Sequence, residues 1–140
     1  MARFQRRVGV GAIIEKDGQI LLGIRNVDDN RGMWELFGGL RRPNETLEDA
    51  VVRQVAEEAG IEVEPIELVA NYDREFPERN LKNIGLCFLC SYVSGEPHQT
   101  EFGRVAGFKW VGLEEAFVME LTPYTRIQLD QYQLWLRSDT

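Results

Sequence analysis

The spacing of apolar residues predicts one well-defined helix in the first half of the chain. Between residues 46 and 60, apolar side chains recur at intervals of three and four, which is typical of a helix with one buried face: Leu47, Ala50, Val51, Val55 and Ala59. Thr46 is a good N-cap residue, and Asp49 follows it in the position of a capping box. Gly60 is expected to end the helix, because glycine readily adopts the left-handed conformation found just past helix ends.

Apolar runs and turn residues predict strands on both sides of this helix. The segments expected to be extended are 8–14, 19–25, 34–37, 83–93 and 104–111. Asp17-Gly18 joins the first two segments as a hairpin turn, and Gly38-Gly39 follows the third as a loop before the helix. Residues 61–72 are predicted to be irregular or extended.

Two further helices are predicted later in the chain. Residues 113–117 form a short one, and Thr122 with Pro123 begins the last one. The inner face of the last helix is predicted from its apolar spacing: Leu129, Tyr132 and Leu136. Because strands outnumber helices, the pattern favours an α/β (α+β) fold in which a mixed β-sheet lies between helices, within a single domain over residues 1–140.

The composition fits one domain and argues against two classes of partner. The chain has 140 residues and a net charge of −7, and a chain of this length can fold around one core without a disulfide or a structural metal. The acidic balance disfavours binding to a nucleic acid polymer, which requires clustered cations. No apolar run reaches the roughly 18 to 20 residues of a membrane span, so no membrane partner is expected. A small polyphosphate stays compatible with the charge, because a divalent ion can reverse the local sign.

The two cysteines do not predict a redox or zinc site. Cys87 and Cys90 form a CxxC pair in an apolar run, but no helix start and no second pair follows, and His98 is the only histidine. Buried strand cysteines are therefore the favoured interpretation. Without a disulfide framework, a reducing, cytoplasmic location is expected.

Polar residues near the end of the predicted helix form the strongest candidate site. Gln54, Glu57 and Glu58 are related by spacings of three and four, so they share one helix face. Neighbouring carboxylates repel each other unless a cation intervenes, and Mg²⁺ or Mn²⁺ suits such oxygens. The preceding glycines could add a backbone carbonyl, and Glu45 could reach Arg53 to fix the loop to the helix. A solvated acidic face without a ligand is the alternative interpretation.

The same segment resembles the signature of the Nudix hydrolases, G-x5-E-x7-R-E-U-x-E-E-x-G-U, in which U is a bulky aliphatic residue. Six of the seven fixed positions match over residues 39–61, and both aliphatic positions match as well. The matching residues are Gly39, Glu45, Arg53, Val55, Glu57, Glu58, Gly60 and Ile61. The flanking segments also look like this family, and the chain is most similar to its MutT-like branch.

The resemblance implies an enzyme that hydrolyses the pyrophosphate linkage of a nucleoside triphosphate or a related nucleoside diphosphate derivative, with Mg²⁺ or Mn²⁺ as its cofactor. By position, Glu57, Glu58, the Gly39 carbonyl and the side chain at position 54 would be metal ligands. Glu45 and Arg53 would form the ion pair that holds the loop on the helix.

Two residues outside the signature are candidates for substrate binding. Arg25 would contact phosphate, and Trp34 could stack on a base, although a core position is the favoured interpretation for this tryptophan. The expected partner is a small-molecule nucleotide. Dimers are common in the family, so a homodimer stays open.

Gln54 stands where the family pattern has a glutamate. Glutamine has a similar shape and an oxygen that can bind a cation, but it carries no charge and cannot accept a proton near neutral pH. We therefore expect weaker metal binding than for the full pattern, and a general base outside the signature. Glu101 is the first choice among the loop acids, ahead of Glu75, Glu78 and Glu96.

Two other functions stay open at this point. A nucleotide-binding module that has lost catalysis through Gln54 would bind metal and nucleotide without turnover. A structural or interaction domain with a solubilising acidic helix would bind no divalent metal.

Overall fold

The computed structural model describes residues 5–138, which form one mixed sheet with helices on both of its faces. The elements in chain order are β1 (Gln5–Lys16), β2 (Gln19–Arg25), β3 (Trp34–Glu35), β4 (Phe37–Leu40), α1 (Leu47–Ala59), β5 (Glu62–Phe76), a 3-10 turn (Pro77–Arg79), β6 (Leu81–Ser94), β7 (Val105–Val111), α2 (Leu113–Phe117) and α3 (Pro123–Ser138). No helix in this described part is long and apolar enough to span a membrane.

The sheet has the order β3-β2-β1-β6-β5, with β4 paired to β1 and β7 paired to β2. The pairing of β1 with β6 is parallel, and the other pairings are antiparallel. The predicted α/β fold with a mixed sheet between helices is therefore confirmed. Next to the Asp17-Gly18 hairpin β1 pairs with β2, but at residues 9–12 it pairs with β4. Because of this switch, β4 lies beside the middle of β1, the strand that pairs in parallel with β6.

Two apolar cores lie on opposite faces of the sheet. The first is covered by α1, whose predicted inner face is confirmed by the burial of Ala50, Val51, Val55 and Ala59. The second is covered by α3 and α2 and includes Leu129 and Tyr132. Each core contains one cysteine, Cys90 in the first and Cys87 in the second, and both are free thiols, as the sequence predicts. Burial raises the pKa of both thiols, so neither is a reactive thiolate near neutral pH.

The ends of α1 follow the local signals in the sequence. The hydroxyl oxygen of Thr46 accepts a hydrogen bond from the backbone N–H of Asp49 at 3.0 Å. Gly60 adopts a left-handed conformation, with φ of 70°, and its N–H donates to the carbonyl of Ala56. Both caps satisfy backbone groups that a helix end otherwise leaves unpaired.

The two glycines before α1 lie in strand β4 and not in the predicted loop. Gly38 pairs with Gly11 of β1, and Gly39 pairs with Val10. A Cβ on Gly38 would overlap the backbone carbonyl of Val10. Glycine is therefore required here because the two strands approach closely, and not because the chain turns.

Residues 61–72 were expected to be irregular or extended, and the extended alternative is confirmed, since Glu62–Phe76 forms one long strand. Three register shifts against β6 break its alternation of apolar and polar positions, which hides the strand in the sequence. Leu136 was expected on the inner face of α3, but it is 38% exposed, and the neighbouring Trp135 packs against the second core instead.

Strand β5 forms one edge of the sheet, and a side chain from α3 covers part of it. The Gln131 amide nitrogen donates to the backbone carbonyl of Asn71 at 2.6 Å, and its oxygen accepts from the Asn71 N–H at 2.9 Å. Both polar atoms of this side chain are therefore engaged by the backbone of one edge residue.

Gly38→Ala is expected to lower the free energy of unfolding by about 1–3 kcal/mol, because the added methyl group overlaps backbone of the neighbouring strand. Gly9→Ala is the matched control in β1, since its Cβ would lie 3.7 Å from the Gly39 carbonyl oxygen, an ordinary contact. Urea unfolding of the two variants measures the difference. Equal stabilities would contradict the close approach of β4 to β1.

Candidate functional site

Helix α1 packs against strand β4 through polar side chains as well as apolar ones. The Glu58 carboxylate accepts a hydrogen bond from the backbone N–H of Gly38 at 2.7 Å, and the side chain is only 7% exposed. One turn earlier, Gln54 lies flat on Gly39, where a Cβ would be 2.5 Å from the amide nitrogen. Buried polar groups of the helix thus reach the backbone of the strand, and at Gly39 the missing side chain makes room for Gln54.

Burial makes the Glu58 carboxylate reluctant to ionise. Loss of water contact raises its pKa to about 8, and the charge of Glu35 adds to this effect. The Gly38 hydrogen bond and the more distant cations Arg104 and Arg25 act in the opposite direction but do not compensate. A divalent cation beside this carboxylate would favour its ionised form.

Gln54 contains a buried polar atom without a protein partner. The side chain is 5% exposed, and its nitrogen makes a long hydrogen bond of 3.4 Å to the Leu40 carbonyl. Its oxygen is buried and has no hydrogen-bond partner among the described residues. A buried acceptor without a partner is unfavourable, so this oxygen is suited to bind a cation or a donor group.

Glu57 lies beside Gln54 and Glu58 on α1, and its carboxylate faces two arginines. One oxygen of its carboxylate is 3.3 Å from the Arg53 guanidinium, and the other is 3.5 Å from that of Arg42. The side chain is partly exposed. Arginines therefore compensate the charge of Glu57, whereas that of Glu58 has no such direct partner in the described part of the chain.

The ion pair predicted between Glu45 and Arg53 is present and is bidentate. The two N–O distances are 2.5 Å and 2.8 Å, and Arg53 also donates to the Leu40 carbonyl at 3.1 Å. Glu45 in turn accepts from the backbone N–H of Arg42 at 2.9 Å. These contacts fix the segment between β4 and α1 onto the helix. The hydrogen bond from Arg53 is the main reason that the pKa of Glu45 is lowered, to about 2.

The residues expected to hold a metal therefore lie together, but only two of them, Glu57 and Glu58, are carboxylates. Among residues 5–138, no group of three or more histidine, cysteine or acidic side chains is arranged to hold an ion. Position 54, on the same helix face as Glu57 and Glu58, carries an amide and not a carboxylate. The candidate donors are the carboxylates of Glu57 and Glu58, the unpartnered oxygen of Gln54, and the carbonyl of Gly39. The chemistry of this set suits a hard cation that prefers oxygen.

A cleft of about 240 Å³ lies on the other side of β4 from α1. Five glycines line it, so the sheet contributes few side chains to its floor: Gly9, Gly11, Gly38, Gly39 and Gly85. Residues from β5, β6 and the first turns of α3 form the walls: Tyr72, Arg74, Asn83, Tyr124, Thr125 and Gln128. Strand β4 therefore separates the cleft from the candidate metal ligands and contributes residues to both.

Arg25, expected to contact phosphate, lies in the wall of this cleft but is held by two acids. It donates to the Glu35 carboxylate at 3.0 Å and to the Asp29 carboxylate at 2.8 Å. Glu35 is only 9% exposed, and burial raises its pKa although Arg25 opposes this. The sequence analysis did not predict the ion pair between Arg25 and Glu35. The only signal was an acid within the apolar run from Trp34 to Phe37.

Trp34 and the loop acids lie apart from the cleft walls. Trp34 packs against the second core, in agreement with the favoured interpretation of this residue, and its backbone bonds hold it to the start of α3. Glu101 is exposed on the loop between β6 and β7. That loop is anchored to α1, because the Thr100 hydroxyl donates to the Glu57 carbonyl.

The other three candidates for the general base lie in different parts of the chain. Glu75 lies near the end of β5, Glu78 in the 3-10 turn and Glu96 on the same loop as Glu101. The cleft residues of β5, β6 and α3 were not singled out in the sequence. They come from three distant segments, and only the sheet order brings them together.

The sequence model of the NUDIX domain matches residues 4–133, and the chain belongs to this family. It is similar to the CTP pyrophosphohydrolase of Escherichia coli, with 46% identity over 71 residues, which are 50% of this chain and 53% of that protein. The chain spans 37% to 62% of the length of the first four curated relatives that it matches.

Two solved structures share the fold over nearly their whole length. A MutT NUDIX hydrolase from Burkholderia pseudomallei superposes with a TM-score of 0.78 and 36% identity, covering 91% of this chain and 98% of that one. The MutT protein from Methanosarcina mazei Go1 gives a TM-score of 0.79 and 29% identity, covering 100% of this chain and 99% of that one. The described fold and the family assignment therefore agree.

Glu45→Gln is expected to remove a pH-dependent part of the stability. The pKa of Glu45 is about 2 in the folded protein against an ordinary value of 4.5, so the ion pair stabilises the fold above pH 4.5 and is lost as the pH falls toward 2. The difference in unfolding free energy between wild type and variant should shrink over that range.

Urea unfolding between pH 7 and pH 3, in a chelating buffer, measures this difference. Glu48→Gln removes the same charge from an exposed position in the first turn of α1 and serves as the control. A wild-type advantage over Glu45→Gln that does not vary with pH would show that the ion pair is not its cause.

Proposed function

We propose that this chain is a divalent-metal-dependent pyrophosphohydrolase of nucleoside triphosphates or related nucleoside diphosphate derivatives. One observation carries the proposal: α1 packs on β4 so that Gln54, Glu57, Glu58 and the backbone of Gly39 lie together beside a cleft. The names of the relatives add support, since a CTP pyrophosphohydrolase and an oxidized purine nucleoside triphosphate hydrolase are among them.

The proposed metal ligands are Glu57, Glu58, Gln54 and the carbonyl of Gly39. When bound, a Mg²⁺ or Mn²⁺ ion would offset the negative charge of the substrate phosphates during attack by water. The buried, unpartnered oxygen of Gln54 and the raised pKa of Glu58 both support a cation at this place. The acidic net charge of the chain then becomes compatible with a polyphosphate substrate.

The remaining charged residues of the site would hold its geometry. The bidentate pair of Glu45 and Arg53 fixes the segment after β4, and the Gly38 N–H orients the Glu58 carboxylate. Arg25 is proposed to contact phosphate from the wall of the cleft. Because Glu35 and Asp29 already compensate its charge, we expect its contribution to binding to be modest.

Gln54 cannot serve as a general base, so a base from outside the signature is proposed. Glu101 fits this role best, because the loop that carries it is anchored by Thr100 to the carbonyl of Glu57. This hydrogen bond holds the surface loop next to the proposed metal ligands.

A second candidate function is supported by Gln54 itself. A neutral amide at a buried position facing the strand lowers the charge of the site, which reduces metal affinity. A module that binds nucleotide and metal without turnover is therefore the alternative. Hydrolysis of a nucleotide panel distinguishes the two, because only the enzyme releases pyrophosphate or phosphate.

Wild-type protein is expected to hydrolyse at least one nucleotide in a panel containing Mg²⁺ or Mn²⁺, and none in EDTA. Glu57→Gln and Glu58→Gln should each reduce Mn²⁺ affinity and turnover by at least about tenfold, since each removes one of two carboxylates. Calorimetry with Mn²⁺ and a pyrophosphate assay measure these effects. Glu48→Gln is the control for loss of charge on α1. Mn²⁺ binding without turnover would support the binding module, and no Mn²⁺ binding would refute both functions.

Gln54→Glu is expected to raise both Mn²⁺ affinity and turnover several-fold, because it adds a third carboxylate to the proposed ligands. Gln133→Glu adds the same charge on α3, which packs on the other face of the sheet, and controls for net charge. If Gln54→Glu leaves both quantities unchanged, position 54 does not limit metal binding or catalysis.

A further inference from the structure

The loop between β6 and β7 docks on the C-terminal end of α1. The Thr100 hydroxyl donates to the Glu57 carbonyl, and the backbone N–H of His98 donates to the Ala59 carbonyl at 3.0 Å. The His98 ring lies against Gly60, where a Cβ would overlap it. Because the last carbonyls of a helix have no partner within the helix, the loop satisfies two groups that this end would otherwise leave open.

A tight turn follows directly after the Thr100 contact. The N–H of Gly103 donates to the Thr100 carbonyl at 3.0 Å and closes a four-residue turn, in which Glu101 and Phe102 are the two central residues. Gly103 has a φ of 66°, a conformation that favours glycine. The Thr100 hydroxyl oxygen also accepts from the Phe102 N–H at 3.4 Å. The backbone around Glu101 is therefore held by bonds within the turn, although Glu101 itself is exposed.

A different loop holds the other end of this turn. The side-chain nitrogen of Asn26, which follows β2, donates to the Gly103 carbonyl at 2.8 Å, and its backbone N–H donates to the Arg104 carbonyl at 2.9 Å. The side-chain oxygen of Asn26 accepts from Arg31 at 2.6 Å, so the amide nitrogen is the atom that faces Gly103. The turn is thus bonded to α1 through Thr100 and to the β2–β3 loop through Asn26.

Attachment at both ends matters for an exposed side chain that has to meet a substrate in one geometry. Ordering a flexible loop residue costs conformational entropy, and a displacement of about 1 Å can lower a rate by roughly a hundredfold. Because both ends of the turn are already bonded in the free protein, much of this order is present before any ligand arrives.

We propose that Thr100 and Asn26 are positioning residues for hydrolysis, which together hold the turn carrying Glu101 at the end of α1 where Glu57 and Glu58 lie. The inference rests on the proposed function, in which Glu101 is the general base. In that step the water oxygen bonds to phosphorus and its proton passes to the Glu101 carboxylate. The bridging P–O bond breaks, and its electron pair stays with the leaving phosphate. Thr100 and Asn26 act through Glu101 and not through contact with the substrate.

Thr100→Val removes the hydroxyl and keeps the shape of the side chain. It should lower kcat by about tenfold on the best nucleotide of the panel, with KM and the calorimetric Mn²⁺ affinity changed by less than about twofold. Amide exchange of Gly103 in the metal-free protein should become about tenfold faster. Thr100→Ser restores the hydroxyl and should recover kcat to about half of the wild-type value, together with the slow exchange.

Asn26→Asp tests the second attachment independently. It replaces the amide donor by an acceptor of the same size, which the Gly103 carbonyl would repel, and it should lower kcat by about fivefold. Asn80→Asp makes the same substitution in the exposed turn before β6, and serves as the control for added charge.

A comparison in the Glu101→Gln background separates positioning from a general loss of structure. Glu101→Gln alone should lower kcat by about a hundredfold, as expected for loss of a general base. In that background, Thr100→Val and Asn26→Asp should each change kcat by less than about twofold, because two residues that act through a third have non-additive effects.

The two proposals fail in different ways. Absence of turnover by the wild-type protein across the nucleotide panel would refute the enzymatic function, and the positioning roles with it. Turnover that Thr100→Val and Asn26→Asp leave unchanged, or equal losses in the wild-type and Glu101→Gln backgrounds, would overturn the inference and leave the function intact. Full activity of Glu101→Gln would do the same. So would a loss of Mn²⁺ affinity in Thr100→Val as large as its loss of kcat, since the effect would then lie at Glu57.

Discussion

The close approach of helix α1 to strand β4 is the contact on which the site depends. Gly39 leaves room for the Gln54 side chain on the strand backbone, and the Gly38 N–H donates to the Glu58 carboxylate. Because β4 also lines the cleft, the same strand connects the acidic helix to that cleft. A larger side chain at position 39 would displace Gln54 and so separate the helix from the strand.

Burial and ion pairing shift the pKa values of the acids near the site in opposite directions. Glu45 is tied to Arg53 and stays ionised well below neutral pH, whereas the buried Glu58 has its pKa raised to about 8. Glu57 lies between two arginines and takes an intermediate, partly exposed position. An acid with a structural role, Glu45, therefore lies just before α1, and the two acids proposed to bind a divalent ion lie on the helix itself.

Local sequence signals predicted the elements whose residues interact with near neighbours. The α1 caps, its apolar face, the Asp17-Gly18 hairpin and the short helix α2 were all predicted correctly, since each depends on spacings of a few residues. Strand β5 was not distinguished from an irregular segment, because its bulges interrupt the alternation. The glycines of β4 look like a turn in the sequence, and only the pairing with β1 explains them. The cleft residues Asn83 and Gln128 could not be predicted for the same reason, since only the tertiary structure brings them together.

The amide of Gln131 has a consequence beyond the packing of α3. An outer strand presents backbone donors and acceptors that can recruit a strand of another molecule, which leads to aggregation. At Asn71 this side chain occupies both groups and imitates the hydrogen bonds of an additional strand. Intermolecular strand addition at that residue would first have to break two existing bonds, so the helix protects the margin of the sheet against self-association.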